Sequence, residues 1–322
     1  MMNLPKKTFS PTLFIEAANF LRDRKLIAFP TETVYGLGAN AEDNNAVSAI
    51  YKVKGRPQHN PLIVHVQDVT KAKAYGLFTP HAHRLATVFW PGPLTLVLNR
   101  VSGCPLSPSV SAGGSTVALR APNHPLALSL LQAFGTGIAA PSANRSGRVS
   151  PTTAAHVESE FSPLPPEIAM ILDGGPCDVG IESTVVDCTG QEPVILRPGS
   201  ITKEMIEAAL CTSLTGSTPK SSSQLKSPGL LESHYAPSLP VRLNAESAED
   251  GEALLGFGKT YAAPTLNLSE SGDLAEAATH LFACLRALDV PQYKGIAVMP
   301  IPELGIGIAI NDRLKRAAAK KF

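Results

Sequence analysis

The sequence predicts two α/β domains, a larger one ahead of a smaller one, and three observations carry that expectation. Short, partly β-branched apolar runs alternate with amphipathic stretches in both halves of the 322 residues. Clean two-residue hairpin signals are missing, so the strands belong with helices and not in a meander. One internal stretch, from Thr212 to Gly229, has Ser, Thr, Pro or Gly at 13 of 18 positions and lacks the apolar surface needed to order itself. The expected division is a first domain over residues 1–210, a linker over 211–237 and a second domain over 238–322.

In the first domain the opening helix runs through LFIEAANFLRDRK from Leu13. Leu13, Ala17, Phe20 and Leu21 fall on one face, and Ser10 ahead of Pro11 is its cap. LIAF from Leu26, LIVHV from Leu62, TLVL from Thr95, VAL from Val117 and GIAA from Gly137 read as strands. Further helices begin near Asn44, Pro80, Pro125 and Thr152. GLGANA from Gly36 resembles a dinucleotide fingerprint, but it stands six residues beyond the preceding strand and reads as a turn ahead of the next helix. In the second domain VRLN, ALLGFG and TLNL are expected strands, DLAEAATHLFACLRALD from Asp273 a helix, GIAVMPIP a further apolar run, and a last helix ends in Arg and Lys. That order predicts a small three-layer α/β unit. ALLGFGKT has Ala253 where a phosphate-binding loop needs its first glycine, which disfavours nucleotide binding there.

Lys and Arg number 28 against 27 Asp and Glu, a formal charge of +1 that excludes a general basic coat for nucleic acid or membrane. Five cysteines without a C-x-x-C pair suit neither a disulfide framework nor a zinc site, and the histidines lack metal-ligand spacing, so no protein-held metal is expected. No signal-peptide run and no membrane-length apolar run occurs, which predicts a soluble, cytoplasmic protein. Anion recognition must then be local. Between Val69 and Val157 there is no acid, while Lys71, Lys73, Arg84, Arg100, Arg120, Arg145 and Arg148 lie within. This reads either as an anion-binding cleft or as drift balanced by acids elsewhere in three dimensions. Lys52 and Arg56 share a helical face by i, i+4 spacing, with Gly55-Arg56-Pro57 ending the helix, and Asn60 and His65 follow. AAPSANRSGRVSPT from Ala139 sets Ser142, Asn144 and Ser150 behind an apolar strand, where α/β folds place ligands. A turn-rich loop and a core histidine are the plainer alternatives.

PTETVYGL from Pro30, KGRPxxNPLIVH from Lys54, ALRAPNHP from Ala118, APSANRSG from Ala140, IESTVVD from Ile181 and ILRPG from Ile195 occur in that order. On these runs the first domain closely resembles the YrdC-like threonylcarbamoyl-AMP synthases. The signature of that family, Lys-x-Arg followed later by Ser-x-Asn, stands here as Lys54-Gly55-Arg56 and Ser142-Ala143-Asn144. SHYAP from Ser233 and GIGIAINDRLKRAA from Gly305 are similar to the longer members. The resemblance implies an N-terminal YrdC-like twisted-sheet α/β domain plus a smaller C-terminal Rossmann-like α/β domain.

It also implies a nucleotidyltransferase that makes threonylcarbamoyl-AMP and pyrophosphate from L-threonine, bicarbonate and ATP with Mg2+. Separate transfer proteins would then carry the threonylcarbamoyl group to tRNA. Carried over by position, Thr33, His65, Arg120, Ala140 and Ser183 surround L-threonine. Lys54, Arg56, Asn60, Thr116, Ser142, Asn144, Ser150, Arg197 and Tyr235 contact ATP, with Lys54, Arg56, Ser142 and Asn144 as the catalytic set. Tyr235 would belong to a segment folded back over the nucleotide. No residue stands out as a general base. One rival is carbamoyl-adenylate formation, whose enzymes carry an acylphosphatase-like part and zinc-binding Cys pairs that are not evident here. Another is an RNA-binding module, against which the near-zero net charge weighs; a weak direct tRNA contact is left undecided by the sequence.

Overall fold

The computed structural model describes residues 10–214, 235–260 and 263–319. Most of the linker and the first two residues of SHYAP, Ser233 and His234, lie outside the described residues. The first domain runs α1 (Pro11–Arg22), β1 (Leu26–Phe29), β2 (Gly36–Asn40), α2 (Asn44–Lys54), β3 (Ile63–His65), α3 (Val69–Ala72), β4 (Gly76–Leu77), α4 (Pro80–Phe89) and β5 (Leu94–Arg100). It continues with β6 (Thr116–Arg120), α5 (Pro125–Phe134), β7 (Ile138–Ala139), α6 (Ala154–Glu160), β8 (Ile168–Ile171), β9 (Thr184–Asp187), β10 (Val194–Arg197) and α7 (Lys203–Leu210). The second holds β11 (Val241–Arg242), β12 (Glu252–Gly256), β13 (Leu266–Asn267), α8 (Leu274–Leu288), β14 (Gly295–Val298) and α9 (Ile306–Ala318).

Local chemistry sets the helix ends. Ser10, Asp43, Thr79 and Asp273 each accept a backbone N–H of the first turn with the side-chain oxygen, and Pro11, Pro80 and Pro125 occupy first helical positions, where no donor is lost. Gly55, at φ 61°, ends α2 in the left-handed conformation. Lys52 and Arg56 therefore do not share a helical face as expected. The helix stops at Lys54, Lys52 turns outward to an ion pair with Glu167, and the chain reverses Arg56 into the interior, where it is 7% exposed.

The first domain is built on a mixed ten-stranded sheet, ordered β10-β9-β5-β6-β3-β7-β2-β1-β8, with β4 beside β5. GLGANA corrects the sequence expectation: it is strand β2, paired antiparallel to both β1 and β7, and not a turn. Its glycines serve packing, since a Cβ at Gly38 would come within 2.8 Å of both Phe29 and Ile138.

The second domain has four parallel strands in the order β11-β14-β12-β13. Here the expected three layers reduce to two. Ala253, Leu255, Ile296 and Val298 share one core cluster with both α8 and α9, whereas the opposite face carries the small cluster of Ala245, Leu254 and Ala297. The reason is the connection from β11 to β12, which contains no helix to cover that face. The larger cluster also takes in Val34, Val149 and Ile181 of the first domain, so the two units share a core.

Candidate active site

The parallel register of β3 and β6 sets His65 opposite Arg120, and an isolated bridge joins Gly36 of β2 to Ser142. Together these elements enclose a cavity lined by Thr33, Arg56, His65, Arg120, Ala140, Ser142, Ser183, Arg197 and Tyr235, along with Glu182. All five residues expected around L-threonine meet there. Arg120 donates from Nη1 to Thr33 Oγ1 (2.9 Å) and from Nε to the Gly92 carbonyl (3.3 Å). Its Nη2 lies 2.8 Å from Glu32 Oε1, yet neither of these buried atoms has a hydrogen bond in line. The pair holds its charges close while leaving directional capacity for an incoming carboxylate. Glu32 is itself fixed by the Asn123 N–H, which donates to its other oxygen at 3.0 Å.

His65 lies edge-on to Phe29, with ring centroids 5.9 Å apart. Burial and the Arg120 charge push its pKa down to about 3, so the imidazole is neutral at working pH. Ser183 shares a hydrogen bond with Thr95 (2.7 Å), and its carbonyl accepts from Arg197 Nε (3.1 Å) and Nη2 (2.9 Å).

On the other side Arg56 donates to the carbonyls of Asn60 (3.2 Å) and Pro61 (3.0 Å). Burial lowers its pKa to about 10, which leaves it charged near neutrality. Lys54 Nζ donates to the Ser142 carbonyl at 2.6 Å and to that of Asn144, which ties the two halves of the family signature together. Burial, reinforced by Arg56, holds its pKa well below the usual lysine value. Asn144 spends its amide N–H groups on the carbonyls of Arg145 and Arg148, leaving Oδ1 buried without a partner. Both side-chain polar atoms of Asn60 are likewise buried and unpartnered, a state that a ligand would relieve.

Five expected residues, Lys54, Asn60, Thr116, Asn144 and Ser150, do not line the cavity; Lys54 connects to it through the Ser142 carbonyl, and Asn60 through its own carbonyl, which accepts from Arg56. Ser150 donates to Glu182 Oε1 (2.5 Å) and reaches the cavity through that carboxylate. Thr116 begins β6, at the opposite end of the strand from Arg120. The acid-free stretch does not form one cationic surface either. Of its seven cations Arg120 lines the cavity, while Lys71, Arg84 and Arg100 bond carbonyls elsewhere and Arg148 bonds Ser238. An alternating strand turns few side chains toward any one site, so a linear run of charge is no guide to a cleft.

Sequence reasoning missed Glu32, Glu182 and Arg313. Each sits inside a recognised run, PTETVYGL, IESTVVD or the last motif, and a buried charge demands a partner, but pairing across the sequence is invisible in one dimension. Among the described residues no group of three or more His, Cys, Asp or Glu is placed to hold a metal ion, and no helix is long and apolar enough to cross a membrane.

Residues 19–199 match the family model described as "Telomere recombination" (Sua5, YciO and YrdC), and residues 201–319 match "Threonylcarbamoyl-AMP synthase, C-terminal domain". The threonylcarbamoyl-AMP synthase of Bacillus subtilis is 42% identical over 94% of this chain and 92% of its own length. That of Pyrococcus abyssi is 41% identical over 95% and 94%. The crystal structure of P. abyssi Sua5 complexed with L-threonine superposes with a TM-score of 0.86 at 38% identity, covering 97% of this chain and 96% of that one. Identity of this order along both domains, on the same architecture, settles the kinship: the chain belongs to the Sua5/YrdC family of threonylcarbamoyl-AMP synthases.

Proposed function

We propose that this chain is an L-threonylcarbamoyladenylate synthase, an enzyme that transfers the adenylyl group of ATP to threonylcarbamate and releases pyrophosphate. The observation that carries the reading is the convergence of Arg56, Arg120 and Arg197 on one cavity alongside neutral hydroxyl and imidazole groups. Such a site suits a reaction that must bring a carboxylate, a carbamate and a triphosphate together.

In this reading Arg120 takes the threonine carboxylate, and Thr33, His65, Ser183 and the Ala140 wall fix the rest of the amino acid. The threonine amine attacks the carbon of bicarbonate, and a C–O bond breaks as water departs, which yields the carbamate. One carbamate oxygen attacks the α-phosphorus of ATP, and the α–β bridging bond breaks with its electron pair leaving on pyrophosphate. Arg56 and Lys54 face the triphosphate, Arg197 supports Ser183, and Asn60, Thr116, Ser142, Asn144 and Ser150 contact phosphate, ribose or base. Mg2+ arrives with the nucleotide as part of the substrate. With a pKa of about 3, His65 is too weak a base to deprotonate the amine and acts as a neutral hydrogen-bonding group. Catalysis rests on positioning and charge.

The division of labour is a catalytic domain over residues 1–210, a linker and lid over 211–237 and a Rossmann-like domain over 238–322. The product supplies cytoplasmic tRNA-threonylcarbamoyl transfer proteins. The test is pyrophosphate release from MgATP, with the adenylate identified by mass. Release is expected to require both L-threonine and bicarbonate; release with carbamoyl phosphate and no amino acid would replace this reading with carbamoyl-adenylate formation.

A further inference from the structure

Arg313, on α9 of the second domain, has 0% exposure and is among the largest fully buried side chains among the described residues. Within its own domain it bonds Asp312 Oδ2 from Nη1 (3.0 Å), and its remaining side-chain bonds cross to the other domain. Nε donates to Glu182 Oε2 (3.1 Å), Nη2 to the Glu182 carbonyl (3.2 Å) and Nη1 to the Pro198 carbonyl (2.6 Å), all in the first domain. The guanidinium also lies 5.7 Å from the centre of the Tyr235 ring, which packs on Phe282 of α8 at 5.4 Å.

What Arg313 grips is the backbone of the active site. The Glu182 carbonyl immediately precedes Ser183, and the Pro198 carbonyl immediately follows Arg197; these are the two residues that bond each other in the cavity wall. Gly199 packs so tightly on this segment that a Cβ there would lie 2.4 Å from the Thr184 nitrogen. One planar guanidinium thus pins both sides of the Ser183–Arg197 pair, and the second oxygen of Glu182 extends the chain to Ser150. We infer that Arg313 is a positioning residue through which the C-terminal domain sets the geometry of the catalytic cavity. The inference rests on the proposed reaction for its kinetic test alone.

The test compares full-length wild-type protein with R313K and T279A. R313K keeps the charge and loses the fork. T279A removes the Thr279 hydroxyl bond to the Asp178 carbonyl at the same domain seam, away from the cavity. With folding verified by circular dichroism, R313K is expected to lose about tenfold or more in kcat/KM for L-threonine-dependent pyrophosphate release, and T279A to match wild type. Hydrogen exchange supplies a readout independent of activity: amides of 182–184 and 236 should exchange faster in R313K and not in T279A. Equal behaviour of the two variants in both measurements overturns the inference. E182Q serves if R313K does not fold. It keeps the shape and the Ser150 bond but removes the charge of the partner across the seam, leaving only the Asp312 carboxylate of its own helix beside Arg313, and unchanged exchange over 235–236 and 197–199 would likewise overturn it. A wild-type protein inactive with every substrate sinks the functional reading, while the exchange comparison still decides the role of Arg313.

Discussion

Arg120 and His65 show how little of a site residue's behaviour is intrinsic. A guanidinium offers two parallel donors to a carboxylate, and Arg120 keeps Nη2 without a hydrogen bond in line. Arg120→Lys retains the charge that balances Glu32 but not the fork, so L-threonine binding should weaken by about tenfold to a hundredfold, measurable by calorimetric titration. Affinity within twofold of wild type would remove Arg120 from the carboxylate site. His65 sets a pH limit on stability. Its native pKa, pushed to about 3, lies below the ordinary 6.5, so between these values the unfolded chain binds a proton that the native state refuses. Stability contributed by neutral His65 is therefore present above pH 6.5 and is lost as the pH falls toward 3. His65→Gln should flatten the fall of Tm between about pH 6.5 and pH 4. His156, pushed down to about 4 by burial and by Arg286, acts in the same direction in both proteins, so the comparison isolates His65.

Elements are placed by their ends and by close approaches. Capping by Ser10 and termination at Gly55 could be read from residue type because those bonds are local. Docking of α8 could not. Gly180 adopts φ 77° where the first domain meets α8, and a Cβ there would lie 2.4 Å from the Thr279 Cα. Gly180→Ala must push α8 away in addition to straining its own backbone. A loss of about 3 kcal/mol in urea denaturation is expected; a change under about 0.5 kcal/mol would show that the seam is not tightly packed.

The whole molecule depends on the shared core and on charges buried at the seam. Arg286 of α8 donates to Glu160 Oε2 at 2.9 Å, with side-chain exposures of 15% and 7%, and also reaches the Val149 carbonyl. Arg286→Ala would strand a buried carboxylate and should cost about 3 kcal/mol. Lys52→Ala, at an ion pair of similar length (3.0 Å) but with the lysine 78% exposed, should cost less than about 0.5 kcal/mol. Chemical denaturation of the two variants checks the contrast, and equal losses would refute it.

Strands β1, β3, β5, β6 and β7, helices α1, α2, α4, α5 and α8, the Ser10 cap, the order of motifs and the residue types of the candidate site follow from the sequence alone, because periodicity, capping and turn chemistry act over a few residues. GLGANA as a strand, the outward turn of Lys52, the two-layer second domain and the pairing of Arg120 with Glu32 and Arg313 with Glu182 were decided only by tertiary structure. Each depends on what faces a residue from a distant part of the chain. Burial makes that partner matter most: a charge removed from water is stable only beside its complement, and Glu182 and Arg313, 131 residues apart in sequence, meet only when both domains have folded.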